Sequence, residues 1–225
     1  MTGDVEDRVK QVFGDHADKA VAFATMLSEQ GVERGLIGPR EVDRLWDRHL
    51  LNSAVVAELF DEGSRVVDVG SGGGLPGVPL AIVRPDLDLT FLEPMERRVK
   101  WLTECVDALG LANVTVLRGR AEEGPVRKQL DGSDAVTARA VAPLEKLARW
   151  CLPLLRPGGR LVALKGESAA EELERDADAV RRAGGSRMSV TTVGGDVLEL
   201  PTTVVLVERD EPTGRAAARR RRKER

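Results

Sequence analysis

Arg65 to Gly77 reads R-V-V-D-V-G-S-G-G-G-L-P-G. A short apolar run (Val66, Val67, Val69) stops at a glycine cluster, and Pro79-Leu80-Ala81-Ile82-Val83 resumes the apolar character behind it. The pattern predicts a buried strand, a permissive turn and then a helix, the layout of a nucleotide-type cofactor loop. Glycine is needed there because the chain must turn sharply and a ligand must come within van der Waals distance of the backbone. The helix that follows offers unpaired N–H groups to whatever sits in front of it.

Gly72-Gly73-Gly74-Leu75-Pro76-Gly77 fits G-x-G-x-x-G, so a dinucleotide reading stays open. Asp68 adds a second feature. It stands two residues before Gly70 and gives D-x-G-x-G-x-G through Gly72 and Gly74. A carboxylate there crowds a pyrophosphate and suits a ligand with a cationic amino group, such as the methionine end of S-adenosyl-L-methionine. Asp68, Gly70, Ser71, Gly72, Gly74 and Leu75 are therefore the candidate cofactor-binding stretch.

Working outward, strands and helices alternate from Arg65 on, which predicts an α/β sheet. The expected strands are 66–69, 87–92, 114–117, 135–138, 160–164, 189–193 and 203–207. The expected helices are 78–83, 96–109 (stopped by Gly110), 144–155 and 169–183. Leu154-Leu155-Arg156-Pro157-Gly158-Gly159 reads as a turn that reverses the chain after a helix. Only nine residues, Gly194 to Thr202, join the last two strands. That is too short for a parallel crossover, so the sheet should end in an antiparallel hairpin.

Residues 1–60 carry no strand signal and read as a small helical cap. In 18–30, Val21, Ala24, Met26 and Leu27 form the expected buried stripe; Gly38-Pro39 opens a further helix with Leu45, Trp46, Leu50 and Leu51 facing inward. The domain plan is thus a cap over 1–60, a cofactor-binding domain over 61–210, and a basic, disordered tail over 211–225. The tail carries +5 and the rest −8, within a net charge of −3. Such an arrangement is common in proteins that meet a polyanion at one place, and equally fits a solvated terminus.

The 225 residues contain no apolar run of membrane-spanning length and no signal peptide is read, so the chain is expected to be cytoplasmic. Two cysteines (Cys105, Cys151) and two histidines (His16, His49) make no plausible zinc set, and no metal is expected. Both cysteines read as small buried apolar residues.

In an open α/β sheet, ligands bind beyond the carboxyl ends of the strands. Glu93, about twenty residues past the glycine loop, is placed to accept ribose hydroxyls from either kind of cofactor. Ala121 and Glu122 follow the third strand, where backbone groups would meet an adenine edge; Glu122 could equally open a helix. Arg139 follows the fourth strand and Lys165 ends the fifth, on one rim. An arginine fork there can hold a carboxylate, a phosphate or guanine O6 and N7. Arg40, Arg44 and Arg48, spaced i, i+4, i+8, are expected to share a helix face beside His49. That face, with Lys165 and Arg139, is a candidate RNA surface. Ion pairing to Asp43 and Asp47 is the alternative.

Four segments, Gly70–Ile82, Gly119–Glu123, Thr137–Leu144 and Pro157–Gly166, occur in an order and spacing that resemble the RsmG family (glucose-inhibited division protein B). Leu45 to Ser53, L-W-D-R-H-L-L-N-S, is similar to that family's R-H-x-x-D-S element, with Asn52 where an aspartate is usual. The similarity covers roughly residues 20–208. It implies a Rossmann-like class I methyltransferase sheet and methylation of guanine N7 in the decoding-region loop of bacterial 16S rRNA. It also implies S-adenosyl-L-methionine as donor, S-adenosyl-L-homocysteine as product, and donor contacts at Gly70, Leu75, Ala121, Glu122 and Arg139. The RNA is expected alone or within the small ribosomal subunit. Guanine N7 has a free lone pair, so no general base is expected; Arg139, Lys165 and His49 are positioning candidates. A methyltransferase of small molecules or proteins, an NAD-dependent reductase and a non-catalytic RNA-binding module remain competing readings.

Overall fold

Alternating residues along the strands decide which side of the sheet each part of the chain must cover. Val66 joins one buried apolar cluster, while Val67 and Val69 join the other. That period of two gives a sheet with both faces buried, which needs helices on both sides. The computed structural model describes residues 3–139 and 141–210, and within them the chain meets this requirement.

The strands are β1 Arg65–Val69, β2 Asp88–Glu93, β3 Val114–Arg118, β4 Ser133–Arg139, β5 Leu155–Lys165, β6 Gly185–Val193 and β7 Thr202–Arg209. Their order in the sheet is β3-β2-β1-β4-β5-β7-β6. β3, β2, β1, β4 and β5 are mutually parallel, and β7 runs antiparallel to both β5 and β6. The short Gly194–Thr202 link therefore makes the expected hairpin. The strand order reverses between β1 and β4, which places the switch point beside the glycine loop.

The helices are α1 Gly3–Phe13, α2 Ala17–Gln30, α3 Asn52–Ala54, α4 Gly77–Val83, α5 Glu96–Leu109, α6 Gly124–Leu130, α7 Leu144–Cys151 and α8 Ala169–Arg182. α5 stops at Gly110, which takes the left-handed conformation (φ 58°) that glycine adopts without a Cβ penalty. On one face, α1, α2, α4 and α5 bury Phe23, Leu27, Phe91 and Trp101 in a single cluster with the sheet. On the other, α7 and α8 cover Val67, Val136 and Leu161. Cys105 and Cys151 are both fully buried.

Several expectations need correction. The helix expected over 144–155 is shorter: α7 ends at Cys151, a 3-10 turn Leu152–Leu154 follows, and β5 already begins at Leu155. Pro157-Gly158-Gly159 is therefore not a chain reversal but an irregularity inside β5, where Ser133 pairs Leu155 and Ala135 pairs Arg160. A helix after β3 was expected only as an alternative opened by Glu122; α6 begins two residues later at Gly124, and its seven residues are too few to show helical periodicity. In α2 the buried residues are Ala20, Phe23, Ala24 and Leu27, while Val21 is exposed. Gly38-Pro39 opens not an α-helix but a 3-10 helix, Pro39–Arg44, followed by a π-helical stretch, Leu45–Leu51. Leu45, Leu50 and Leu51 are buried there and Trp46 is half-buried. The basic tail lies outside the described residues.

Candidate active site

The glycine loop leaves β1 with Gly70 and Gly72 at positive φ (74° and 54°), conformations that side chains with a Cβ adopt at a cost. Two hydrogen bonds seat it on the end of β2. The Gly70 N–H donates to the Leu92 carbonyl (2.8 Å), and the Gly72 N–H donates to Glu93 Oε2 (3.0 Å). Glu93 Oε1 accepts the Met95 N–H (2.9 Å), so one almost fully buried carboxylate fixes both the loop and the β2–α5 connection. Trp101, fully buried on α5, donates its indole N–H to the Gly73 carbonyl (3.1 Å). The Arg34 guanidinium lies 5.2 Å from the centre of the Trp101 ring, a cation–π distance, and Arg34 also pairs with Glu104 (2.7 Å).

In front of this loop is a cavity of about 630 Å³ at the carboxyl ends of β1 to β4. Gly70, Ser71, Gly72, Leu75, Glu93, Ala121, Glu122 and Arg139 line it together, and His49, a positioning candidate, lines it with them. Glu122 belongs to the loop before α6, which begins at Gly124. The walls combine carboxylates and backbone edges with apolar Leu36, Ile37, Leu92 and Met95. The cavity therefore offers apolar side chains, a carboxylate and polar backbone groups to a ligand.

Two members of the expected stretch stand elsewhere. Asp68 does not line the cavity. Strand alternation puts it on the face of Val66 and α4, wholly buried, with Oδ2 only 2.5 Å from where a Cβ on Gly77 would sit. Neither carboxyl oxygen makes a hydrogen bond. Burial pushes this carboxyl up to about 7, with the nearby Ser71 hydroxyl and Gly77 N–H pulling the other way. Gly74 is also turned away: a Cβ there would lie 2.7 Å from Val78 Cγ2 and 3.2 Å from Phe23 Cζ. It is a packing glycine, and Gly73 takes its place on the cavity wall.

Arg139 leaves the end of β4 and is gripped by the helical segment before the sheet. Its Nη1 donates to Ser53 Oγ (2.9 Å) and the His49 carbonyl (3.3 Å). Its Nη2 donates to the Arg48 carbonyl (2.7 Å) and meets His49 Nδ1 (2.8 Å). His49 Nε2 in turn meets Glu41 Oε2 (2.8 Å). Burial first, then the Arg139 charge, holds the imidazole below its usual range despite Glu41. Burial lowers Arg139 to about 10. The fork expected to reach a ligand carboxylate or an RNA phosphate thus spends both terminal nitrogens inside the protein. Glu41 and Ser53 were missed in the sequence, since nothing local marks a glutamate eight residues before a histidine as its partner.

Glu41, His49 and Arg139 form a wall with a second face. Behind it lies another cavity of about 690 Å³, also lined by Arg44, Arg48, Asn52 and the 198–201 loop. Lys165 reaches this cavity, but its ammonium is committed. It donates to the Ala142 carbonyl (3.0 Å) and pairs with Glu172 (2.9 Å). Arg40 lines neither cavity. The spacing i, i+4 shares a face only in an α-helix; with three residues per turn through Pro39–Arg44, Arg40 and Arg44 diverge. Asp47 pairs with Arg8 (2.6 Å), and among the described residues Arg44 and Arg48 have no ion-pair partner.

A family model described as GidB, rRNA small subunit methyltransferase G, matches residues 16–200. The chain belongs to this family. A relative from Corynebacterium efficiens named ribosomal RNA small subunit methyltransferase G is 55% identical over 201 residues, covering 89% of this chain and 87% of that one. One of the same name from Rhodococcus jostii is 56% identical over 206 residues, covering 92% and 90%. Among solved structures, a SAM-dependent O-methyltransferase from Thermotoga maritima is similar at 17% identity and a TM-score of 0.55. That match covers 71% of this chain and 65% of the other, and it carries the fold alone. The chain thus has the class I methyltransferase sheet, with the antiparallel strand β7 inserted between β5 and β6. Its family match begins at residue 16 and so takes in all of α2 and the Glu41–Ser53 segment that grips Arg139.

Proposed function

We propose that this chain transfers a methyl group from S-adenosyl-L-methionine to N7 of a guanine in the decoding-region loop of bacterial 16S rRNA. The observation that carries the reading is the pair of cavities sharing the Glu41–His49–Arg139 wall. One is built on a glycine turn and a buried carboxylate, and the other is bordered by Arg44 and Arg48, which have no ion-pair partner among the described residues. Family membership and the printed names of the relatives support rRNA as the substrate class.

The residues of the first cavity fit the donor. Glu93 and the loop from Gly70 to Gly73 would hold its ribose and amino-acid arm, and Leu36, Ile37, Leu92 and Met95 its adenine. When bound, the donor supplies a methyl carbon on a cationic sulfur, which neutral guanine N7 attacks with its own lone pair. No proton has to leave first, so alignment is the main demand, with reacting atoms about 3–3.5 Å apart. The methylated guanine is cationic. His49, held neutral, lines the shared wall without opposing that charge, while Arg139 keeps its own charge engaged with Arg48, His49 and Ser53. Arg44 and Arg48 border the second cavity and serve as phosphate contacts.

Labelled donor, purified protein and small-subunit rRNA from cells lacking this gene test the reading. Transfer should appear at a guanine and produce a base labile to N7-specific cleavage. Label in protein, in small molecules or at a different base atom would overturn it. Binding of S-adenosyl-L-homocysteine but not NADH separates it from a reductase.

A further inference from the structure

Of the large apolar side chains that the described residues leave in water, Leu200 is the extreme case at 78% exposed; Met95 follows at 41%. Single exposed leucines are ordinary on a protein surface. Leu200 differs in where it stands and how it is held. It lies in the link between β6 and β7 and lines the second cavity together with Arg44, Arg48 and the shared wall.

That link is anchored on both sides of Leu200. The Gly194 carbonyl accepts the Leu198 N–H (2.8 Å) and the Val197 N–H (3.1 Å). Gly194 sits so close to Val55 that a Cβ on it would lie 2.8 Å away, and Leu198 is buried in the core. Past Pro201, the Thr202 hydroxyl donates to the Asn52 carbonyl (3.0 Å). The leucine is therefore presented by a fixed loop beside a cavity open to solvent.

We propose that Leu200 is a wedge that enters the RNA base stack and occupies the gap left when the target guanine turns into the second cavity. This deepens the proposed function and rests on it. A guanine held inside a base stack cannot enter the second cavity, which adjoins the donor cavity along Glu41, His49 and Arg139. Enzymes that act on a base inside a cavity take it out of the stack and meet the cost of unstacking. An apolar side chain inserted at the vacated step offsets that cost, as it does for proteins that kink nucleic acids. Arg44 and Arg48, which line the same cavity and have no ion-pair partner among the described residues, would hold the flanking phosphates while the base turns. Leu200 is thus a positioning residue for the acceptor, with no contact to the donor cavity.

The test compares wild type, Leu200→Ala and Leu200→Met on folded, unmethylated small-subunit rRNA and on an rRNA fragment with 2-aminopurine next to the methylated guanine. Unstacking raises 2-aminopurine emission. Leu200→Ala should lower kcat/KM on the folded RNA by about tenfold or more and lose the emission rise. Its affinity for S-adenosyl-L-homocysteine should be unchanged, and Leu200→Met should recover most of both losses. Wild-type kcat/KM and emission in Leu200→Ala would overturn the wedge, as would equal damage from the methionine variant. Failure of the wild-type protein to methylate rRNA would overturn it together with the reading beneath it, and that result is visible without any variant.

Discussion

Arg139 Nη2 donates to His49 Nδ1 across 2.8 Å. A guanidinium has no acceptor, so Nδ1 must carry the lone pair and the proton must sit on Nε2, which donates to Glu41. One contact thereby fixes both the tautomer and the charge of the histidine on the wall between the cavities. Protonating it would place a second cation against Arg139.

This makes the protein sensitive to acid in a defined direction. The folded His49 has a pKa below its unfolded value of 6.5, chiefly through burial. The unfolded chain then binds the proton first, so the stability carried by the neutral ring is complete above pH 6.5 and is lost as the pH falls below it. Asp68 acts in the opposite sense over this range, so the loss should appear as the difference in urea midpoint between wild type and His49→Gln from pH 8 to 5. His49→Gln keeps one donor and one acceptor but cannot titrate, and should remove its share of the slope. An identical slope in the variant would show that the group responsible is another one.

The sheet was legible because its strands obey period two and its helices end at glycines such as Gly110. The antiparallel finish followed from the length of one link. The site was half legible. Glu93, Ser71 and Arg139 could be placed because strand ends carry the chemistry in this architecture. Asp68 was misplaced although the same alternation that sorts Val66 from Val67 assigns it to the α4 face. Lys165 stands on the expected rim beside Arg139, but that its ammonium is taken depends on a distant partner, Glu172; Arg40 was misplaced because spacing cannot report the helix type.

Asp68 is a wholly buried acid whose burial outweighs the pull of the Ser71 hydroxyl and Gly77 N–H, and its pKa of about 7 against an ordinary 3.8 has a thermodynamic consequence. The folded chain holds this proton more tightly than the unfolded chain. Its contribution to stability is therefore full below pH 3.8 and declines as the pH rises toward 7. Asp68→Asn should be the more stable protein at pH 8, by up to about 4 kcal/mol. Donor affinity should change little, since Asp68 does not line the cavity. A variant that folds with equal stability but no longer binds S-adenosyl-L-homocysteine would restore Asp68 to the ligand.

Two glycines of the loop should fail in different ways. A methyl group on Gly74 would meet Val78 at 2.7 Å with φ at 95°, so Gly74→Ala should destabilise the fold by about 2–4 kcal/mol. Gly72 has φ 54° and its nearest neighbour 3.6 Å away, so Gly72→Ala should cost only about 1–2 kcal/mol. Its methyl group stands on the cavity wall, however, and should weaken S-adenosyl-L-homocysteine binding about tenfold, or 1.4 kcal/mol. Calorimetric binding and denaturation of the two variants separate the roles. The reverse pattern would mean that Gly74, not Gly72, faces the ligand.

The cationic rim can be divided by salt. Each RNA phosphate neutralised releases a counterion and adds to the slope of log K against log salt, by about 0.7 for a single strand. Arg44 and Arg48 line the second cavity and have no ion-pair partner among the described residues, so replacing both with alanine should reduce the slope by roughly 1.4. Lys165 also lines that cavity, but its ammonium is spent on Ala142 and Glu172 and its side chain is only 12% exposed. Lys165→Met should leave the slope unchanged and lower stability instead, because the largely buried Glu172 loses its ammonium partner and keeps only the Leu144 N–H and the more distant Arg175. Arg40→Ala should change neither, since its side chain lines neither cavity. A flattened slope in Lys165→Met would mean that the Glu172 pair opens when RNA binds and that the ammonium is released to a phosphate.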